Sequence, residues 1–234
     1  MNEKIANLQV WLNAKGASPK LTVDGVSGPA TRRAFFETFR NRSAPAISPQ
    51  DISLFAARLG VTNTQIAAFA SVESSGGGWD DTGLLKCLYE RHYGWKRFRI
   101  LNPFLSNPSP GGYTIDADRD GINDSWEKVA DAALTFHEPN KAFECASWGK
   151  FQIMGAWALK LGYSSSAEFV WLLSRDEIAH YEAFVRFIER FNLTTALRKV
   201  NGNPINCLDI ARAYNGKGQK GYDARIAAAF RKLS

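Results

Sequence analysis

The sequence predicts a mostly α-helical protein built in two parts, with one short β-hairpin. Three observations carry this. Apolar residues recur at three- and four-residue spacing through most of the 234 residues. A stretch rich in proline, serine and alanine, NRSAPAISPQD over 41–51, separates two such regions. One extended aromatic segment, LLKCLYERHYGW over 84–95, stands between glycine-containing stretches and suits a hairpin.

The first part occupies residues 1–42. In KIANLQVWLNAKG, Ile5, Leu8, Trp11 and Leu12 share one helical face, and Gly16 follows as a C-terminal cap. LTVDGVSGPATRRAFFETFR then gives an extended piece, a turn at Asp24-Gly25 and a helix opening at Gly28-Pro29, where proline's missing N–H costs nothing. Phe35, Phe36 and Phe39 supply the apolar face of that helix.

A linker over 43–51 leads to the second part, residues 52–234. Its periodicity predicts helices near 50–59, 62–74, 125–138, 150–161, 166–173, 175–192, 194–200, 205–214 and 221–232. No repeat or low-complexity tract links the two parts.

Composition bounds the function. Hydrophobic residues at 45% and charged residues at 22% are those of a globular protein. No stretch approaches the roughly 18 to 20 apolar residues that span a bilayer. Cys87, Cys145 and Cys207 are odd in number and widely spaced, so reduced, buried thiols are expected rather than a disulfide framework. The net charge of +6 is uneven: residues 1–45 carry seven Lys and Arg against three Asp and Glu, and residues 181–234 ten against four. Basic ends suggest an anionic partner such as nucleic acid, lipid phosphate or a cell-wall polymer. Without interleaved basic and aromatic residues, no nucleic acid is expected.

Two carboxylates stand out. TNTQIAAFASVESSGGG reads as a helix capped by Thr62 or Asn63, with Ile66, Phe69 and Ala70 buried. Glu73 lies one turn beyond Phe69 and Ala70, at the border of the apolar face. A partly desolvated carboxyl holds its proton more tightly, which a general acid needs near neutral pH. Glu90 lies in LYERHYGW. On an extended strand it shares a face with Leu88 and His92, so a helix-end acid and a strand acid could stand across a groove. Glycoside hydrolysis needs such a pair: one acid protonates the leaving oxygen while the other orients water or stabilises positive charge.

Two further segments offer ligand contacts. In ASWGKFQIMG, Gln152 is a lone amide among apolar residues, and either satisfies buried backbone or faces a ligand. In ARAYNGKG, Tyr214 and Asn215 end a helix and offer a stacking face and hydrogen bonds, as an ordinary C-cap also would.

The order Glu-Ser-Ser-Gly, YERH, SWGKFQIMG and AYNG resembles the lysozyme-like N-acetylmuramidase domains of bacteriophage endolysins, over about residues 55–232. It is similar, more distantly, to goose-type lysozymes and soluble lytic transglycosylases. LQVWLNAKG with VDGVSGPATRRAF looks like the small helical peptidoglycan-binding domain of many such enzymes, matching at Asp24, Gly25, Gly28 and Thr31.

The resemblance implies a lysozyme-like α+β catalytic domain behind a helical wall-binding domain, acting on bacterial peptidoglycan as a monomer and needing no catalytic cofactor. Glu73 matches the family's general acid, for the bond between N-acetylmuramic acid and N-acetylglucosamine. Glu90 matches its second acid, and Gln152, Tyr214, Asn215 and His92 its saccharide groove. The alternatives are a lytic transglycosylase using the same Glu73, and a non-catalytic wall-binding or phage-tail protein. With no apolar signal core in MNEKIANLQVWLNAKG, synthesis in the host cytoplasm and release through another protein's pore are expected.

DADRDGINDSWE, over 116–127, fits D-x-D-x-D-G-x5-E and looks like a single thrombospondin-type calcium repeat. Asp116, Asp118, Asp120, Asp124 and Glu127 are its candidate ligands for a structural Ca2+. The basic C-terminal helix, with Ile226, Ala229, Phe230 and Leu233 on one side, could contact anionic outer-membrane lipid or simply pack on its domain.

Overall fold

The computed structural model describes residues 1–73, 76–216, 218 and 220–234. Along the chain run α1 (Glu3–Ala14), α2 (Pro29–Phe39), α3 (Pro49–Leu59), α4 (Asn63–Glu73), β1 (Cys87–Tyr89), α5 (Arg91–Phe98), α6 (Asp124–Thr135) and α7 (Pro139–Glu144). Then come β2 (Ala146–Trp148), β3 (Ile153–Met154), α8 (Ser166–Leu173), α9 (Glu177–Arg190), α10 (Thr194–Arg198), α11 (Pro204–Asn215) and α12 (Tyr222–Leu233). The fold is mostly helical with one small antiparallel sheet, as the sequence predicts. Among the described residues, no helix is long and apolar enough to cross a membrane.

The chain folds into two compact units, and neither is continuous in sequence. Residues 1–44 and 79–175 form one, residues 45–78 and 176–234 the other.

In the first unit the aromatic face of α2 is fully used. Phe35 stacks on Phe143 of α7, centroids 5.2 Å apart, and Phe39 lies 5.3 Å from Trp126 of α6. Trp126 meets Trp148 edge to face at 4.9 Å. Both indoles satisfy their N–H inside this core, Trp126 on the carbonyl of Leu85 and Trp148 on that of Phe143. Buried donors left unmade would be costly there. At the edge, Arg32 of α2 pairs with Glu127 at 2.8 Å and with Asp131, both on α6. Residues 1–44 thus share one hydrophobic core with residues 79–175.

The sheet has the order β1-β2-β3, with Cys87 opposite Trp148, Tyr89 opposite Ala146, and Trp148 opposite Ile153. The hairpin is therefore β2–β3, within 146–154. The segment expected to form it, 84–95, contributes one strand and then turns helical at Arg91. Leu88, Glu90 and His92 do not share a strand face. Gly94 fits inside α5 because the chain at Leu105 passes directly over it: a Cβ there would sit 2.0 Å from the Leu105 carbonyl oxygen. The helix expected over 150–161 is replaced by β3 and two short 3-10 turns, Gly155–Trp157 and Leu159–Leu161. Gly149 and Gln152, with φ of 67° and 46°, hold left-handed conformations that no α-helix accepts.

The second unit begins with a reciprocal cap on α4. The Gln65 N–H donates to the Thr62 hydroxyl, and the Thr62 N–H to Gln65 Oε1, at 3.2 and 2.9 Å. Phe69 of α4 meets Tyr214 of α11 at 4.7 Å and Phe184 of α9 at 5.1 Å. The C-terminal helix α12 packs on α4 and α11 and buries Tyr222, Ile226 and Ala227. Leu233, at its end, remains exposed. All three cysteines are buried free thiols.

Candidate active site

Glu73 is the last residue of α4, one turn past the buried Phe69 and Ala70. It is half-buried, and its Oε1 is out of water without a hydrogen-bond partner among the described residues. An anion there loses hydration and gains little in return. Burial accordingly pushes its carboxyl up to about 7, against a smaller opposing pull from the Arg225 guanidinium on α12. Tyr214 belongs to the same cluster. Its phenol is raised well above its ordinary value, first by burial and then by the charge of Glu73. The Tyr214 ring packs among Phe69, Phe184 and Phe187, while Asn215 next to it is exposed. Ser74, Ser75 and Lys217, within the two motifs read from the sequence, lie outside the described residues.

Glu90 belongs to the first unit and stands at the N-cap of α5. Its backbone N–H still donates to the Cys145 carbonyl at 2.8 Å, continuing the sheet for one residue. Its side chain does not cap the helix. Instead, Oε2 accepts a 2.7 Å hydrogen bond from the Tyr113 hydroxyl, and His92 Nδ1 lies 3.1 Å from the same oxygen. The imidazole is off the line that an N–H donor needs, so Tyr113 alone makes an oriented bond. Burial, and then the bond to Glu90, raises the Tyr113 phenol. Nothing in the sequence singles out Tyr113. The only local signal is Gly111-Gly112 before it, both at positive φ, which marks a tight turn.

Gln152 is tied into its own turn. Its amide nitrogen donates to Gly149 O at 2.8 Å and Lys86 O at 3.3 Å, and its oxygen accepts from the Ser147 hydroxyl at 2.9 Å. Of the two readings its sequence allows, satisfying backbone groups is the one these bonds serve.

Three of the four positions singled out in residues 1–42, Asp24, Gly25 and Thr31, hydrogen-bond one buried amide, Gln9, which is 2% exposed. Gln9 donates to Asp24 Oδ1, Val26 O and Thr31 Oγ1, and accepts from the N–H groups of Asp24 and Gly25. Gly25, at φ 69°, must be glycine, since a Cβ would stand 2.7 Å from Asn2 N. Gly28 is the N-cap of α2. A cavity of about 330 Å³ opens beside this network, with Lys20 and Arg33 among its lining residues.

The acidic loop gathers its carboxylates in two overlapping groups, Asp116, Asp118, Asp120 and Asp118, Asp124, Glu127. In each, the oxygens lie within 4.8 Å of one another. Gly121 turns the loop at φ 85°. Oxygen-only donors at this spacing are what a hard cation such as Ca2+ takes. Two of them have other commitments: Glu127 pairs with Arg32, and Asp124 Oδ1 accepts the Ala117 N–H at 2.9 Å. Burial works to raise the Asp124 carboxyl, but hydrogen bonds from Thr114 and Ala117 hold it below the usual range. A cavity of about 430 Å³ adjoins the loop, lined by Phe104 and Leu105 as well as Asp118 and Asp124.

A family model described as N-acetylmuramidase matches residues 62–234. No curated protein sequence matches the chain. Among solved structures, the chain is similar to that described as the crystal structure of Burkholderia AP3 phage endolysin. The two are 28% identical with a TM-score of 0.69, over 99% of this chain and 94% of that one.

Proposed function

The chain belongs to the N-acetylmuramidase family and is a glycoside hydrolase; on that premise we propose that it is a phage endolysin with Glu73 as general acid. It hydrolyses the bond between N-acetylmuramic acid and N-acetylglucosamine in the host's peptidoglycan. The observation that carries the reading is the half-buried carboxyl of Glu73, held near 7 by desolvation. At neutral pH a large fraction of it keeps the proton that the leaving glycosidic oxygen must receive.

Glu90 takes the second role, orienting water or stabilising the positive charge that develops on the sugar ring. Its Oε2 is already engaged by Tyr113. Residues 1–42 act as the wall-binding part, a reading supported by the cavity beside Asp24 and Thr31. The acidic loop holds a structural Ca2+ through Asp116, Asp118 and Asp120, an ion that the glycosidase chemistry itself does not need.

The test is mass spectrometry of soluble products from purified peptidoglycan. Reducing muramic acid ends are expected. Anhydro-muramic ends, lighter by one water, would make the enzyme a transglycosylase and remove Glu90 from the chemistry. A Glu73→Gln protein that stays folded yet turns over normally would overturn the assignment of the acid.

A further inference from the structure

The carboxylate of Glu90 is not oriented by its own helix, so something else must fix it. The strap formed by residues 103–114 does so, and it has no regular secondary structure of its own. One guanidinium holds it in shape. Arg91, the residue after Glu90, donates through Nε to Ser109 O and through its two terminal nitrogens to Pro103 O and Pro110 O, each at 2.9 Å. Gly111 and Gly112 wrap closely around that guanidinium: a Cβ on either would come within 3.3 to 3.5 Å of its nitrogens. Beyond the turn, Lys128 of α6 donates to Gly112 O at 2.7 Å and Thr114 Oγ1 at 3.1 Å. Tyr113 stands between these two anchors, with its ring half exposed and its hydroxyl on Glu90.

We infer that Tyr113 is a positioning residue, which fixes the Glu90 carboxylate through Oε2 and leaves Oε1 to receive a water. The inference rests on the reading of Glu90 as the second acid. A carboxylate with both oxygens free samples many rotamers, and one held by a charge-assisted bond from a stapled loop samples few. Tyr113 and His92 both address Oε2, and among the described residues no protein group hydrogen-bonds to Oε1. Arg91 and Lys128 act one step further back, by holding the strap.

The test measures kcat and KM on soluble, uncrosslinked glycan strands for the wild type, Tyr113→Phe, Glu90→Gln and the double variant, with products counted by mass spectrometry. Phenylalanine keeps the ring and removes only the hydroxyl. Expected is a kcat lowered roughly tenfold to a hundredfold, the scale of one hydrogen bond to a charged group. KM and melting temperature should be unchanged. In the Glu90→Gln background the second substitution should add nothing, because Tyr113 acts through Glu90. Wild-type kcat in Tyr113→Phe overturns the inference. So does an equal loss in both backgrounds, or a rise in KM alone, which would mark a direct sugar contact. Wild-type turnover by Glu90→Gln would instead overturn the reading of Glu90 itself. Where the Glu90→Gln pair is too slow to count, the split between kcat and KM in Tyr113→Phe alone decides.

Discussion

The ring of Phe35 lies stacked on that of Phe143, centroids 5.2 Å apart and planes 12° from parallel. One ring belongs to the N-terminal helical pair and the other to the portion of the chain matched by the muramidase family model. Phe35 is fully buried, so the contact is part of a core and not a surface touch. Residues 1–44 therefore contribute stability to residues 79–175, whatever they bind.

Phe35→Ala should destabilise the protein by about 3–5 kcal/mol, as large aromatic truncations in cores do. Urea denaturation followed by tryptophan fluorescence measures it, since Trp126 and Trp148 belong to the same cluster. A loss below about 1 kcal/mol, within the range of surface substitutions and small adjustments, would mean that the two segments fold independently.

The raised carboxyl of Glu73 links stability to pH in a defined direction, and activity too if it is the proposed acid. Its carboxyl titrates near 7 in the folded chain and near the ordinary 4.5 when unfolded. The folded state therefore binds this proton more tightly. Its contribution to stability is present in full below 4.5 and is lost as pH rises through 7. Glu73→Gln removes that dependence and should match the wild type near pH 4. At pH 8 it should be more stable, by on the order of 1 to 3 kcal/mol. Lytic activity should be abolished at both pH values. Thermal melts across this range would expose the opposite trend at once.

Arg225 tests the same carboxyl without touching it. Its charge favours the ionised form of Glu73, and its removal leaves desolvation unopposed. Arg225→Ala should move the alkaline limb of the pH–rate profile to higher pH while leaving the activity at pH 5 unchanged. The difference should narrow in high salt, where exposed charges are screened. A limb moving to lower pH would show that Arg225 does not act on Glu73 by its charge.

The elements with strong local signals were legible in the sequence. The helix over 166–173 is found at those bounds, and Thr62, Ile66, Phe69 and Ala70 take the cap and core places that their spacing dictates. Glu73 was legible because a helix end beside an apolar face follows from periodicity alone. The hairpin is displaced from 84–95 because aromatic content identifies a strand but not its partner: β1 pairs with β2 at Ala146–Trp148, and β3 falls within 150–161, where the local pattern predicts a helix. Gln152 at φ 46° breaks that helix through a tertiary bond network no local rule sees. Tyr113 was illegible for the same reason: its relation to Glu90 depends on Arg91 gathering three distant carbonyls. Nor could sequence order reveal that α2 shares a core with α6 and α7.

The acidic loop gives a prediction with two opposite signs. Asp116, Asp118 and Asp120 bring carboxylate oxygens within 4.8 Å of one another, and Asp118 also belongs to the group with Asp124 and Glu127. Like charges at that spacing repel, and Arg32 offsets only the Glu127 end. Millimolar Ca2+ should raise the melting temperature, because an ion bound to the folded state alone stabilises it in proportion to the logarithm of its concentration. Asp118→Asn should abolish that response, since it removes the carboxylate common to both groups. Without calcium the same substitution should leave the protein as stable as the wild type or more so, because a repulsive charge is gone. Differential scanning calorimetry in EDTA and in calcium separates the two effects. Identical melts for the wild type in both buffers would end the calcium reading. A lower melting temperature for Asp118→Asn in EDTA would instead make Asp118 a structural loop residue, held by its 3.3 Å bond from the Asp120 N–H.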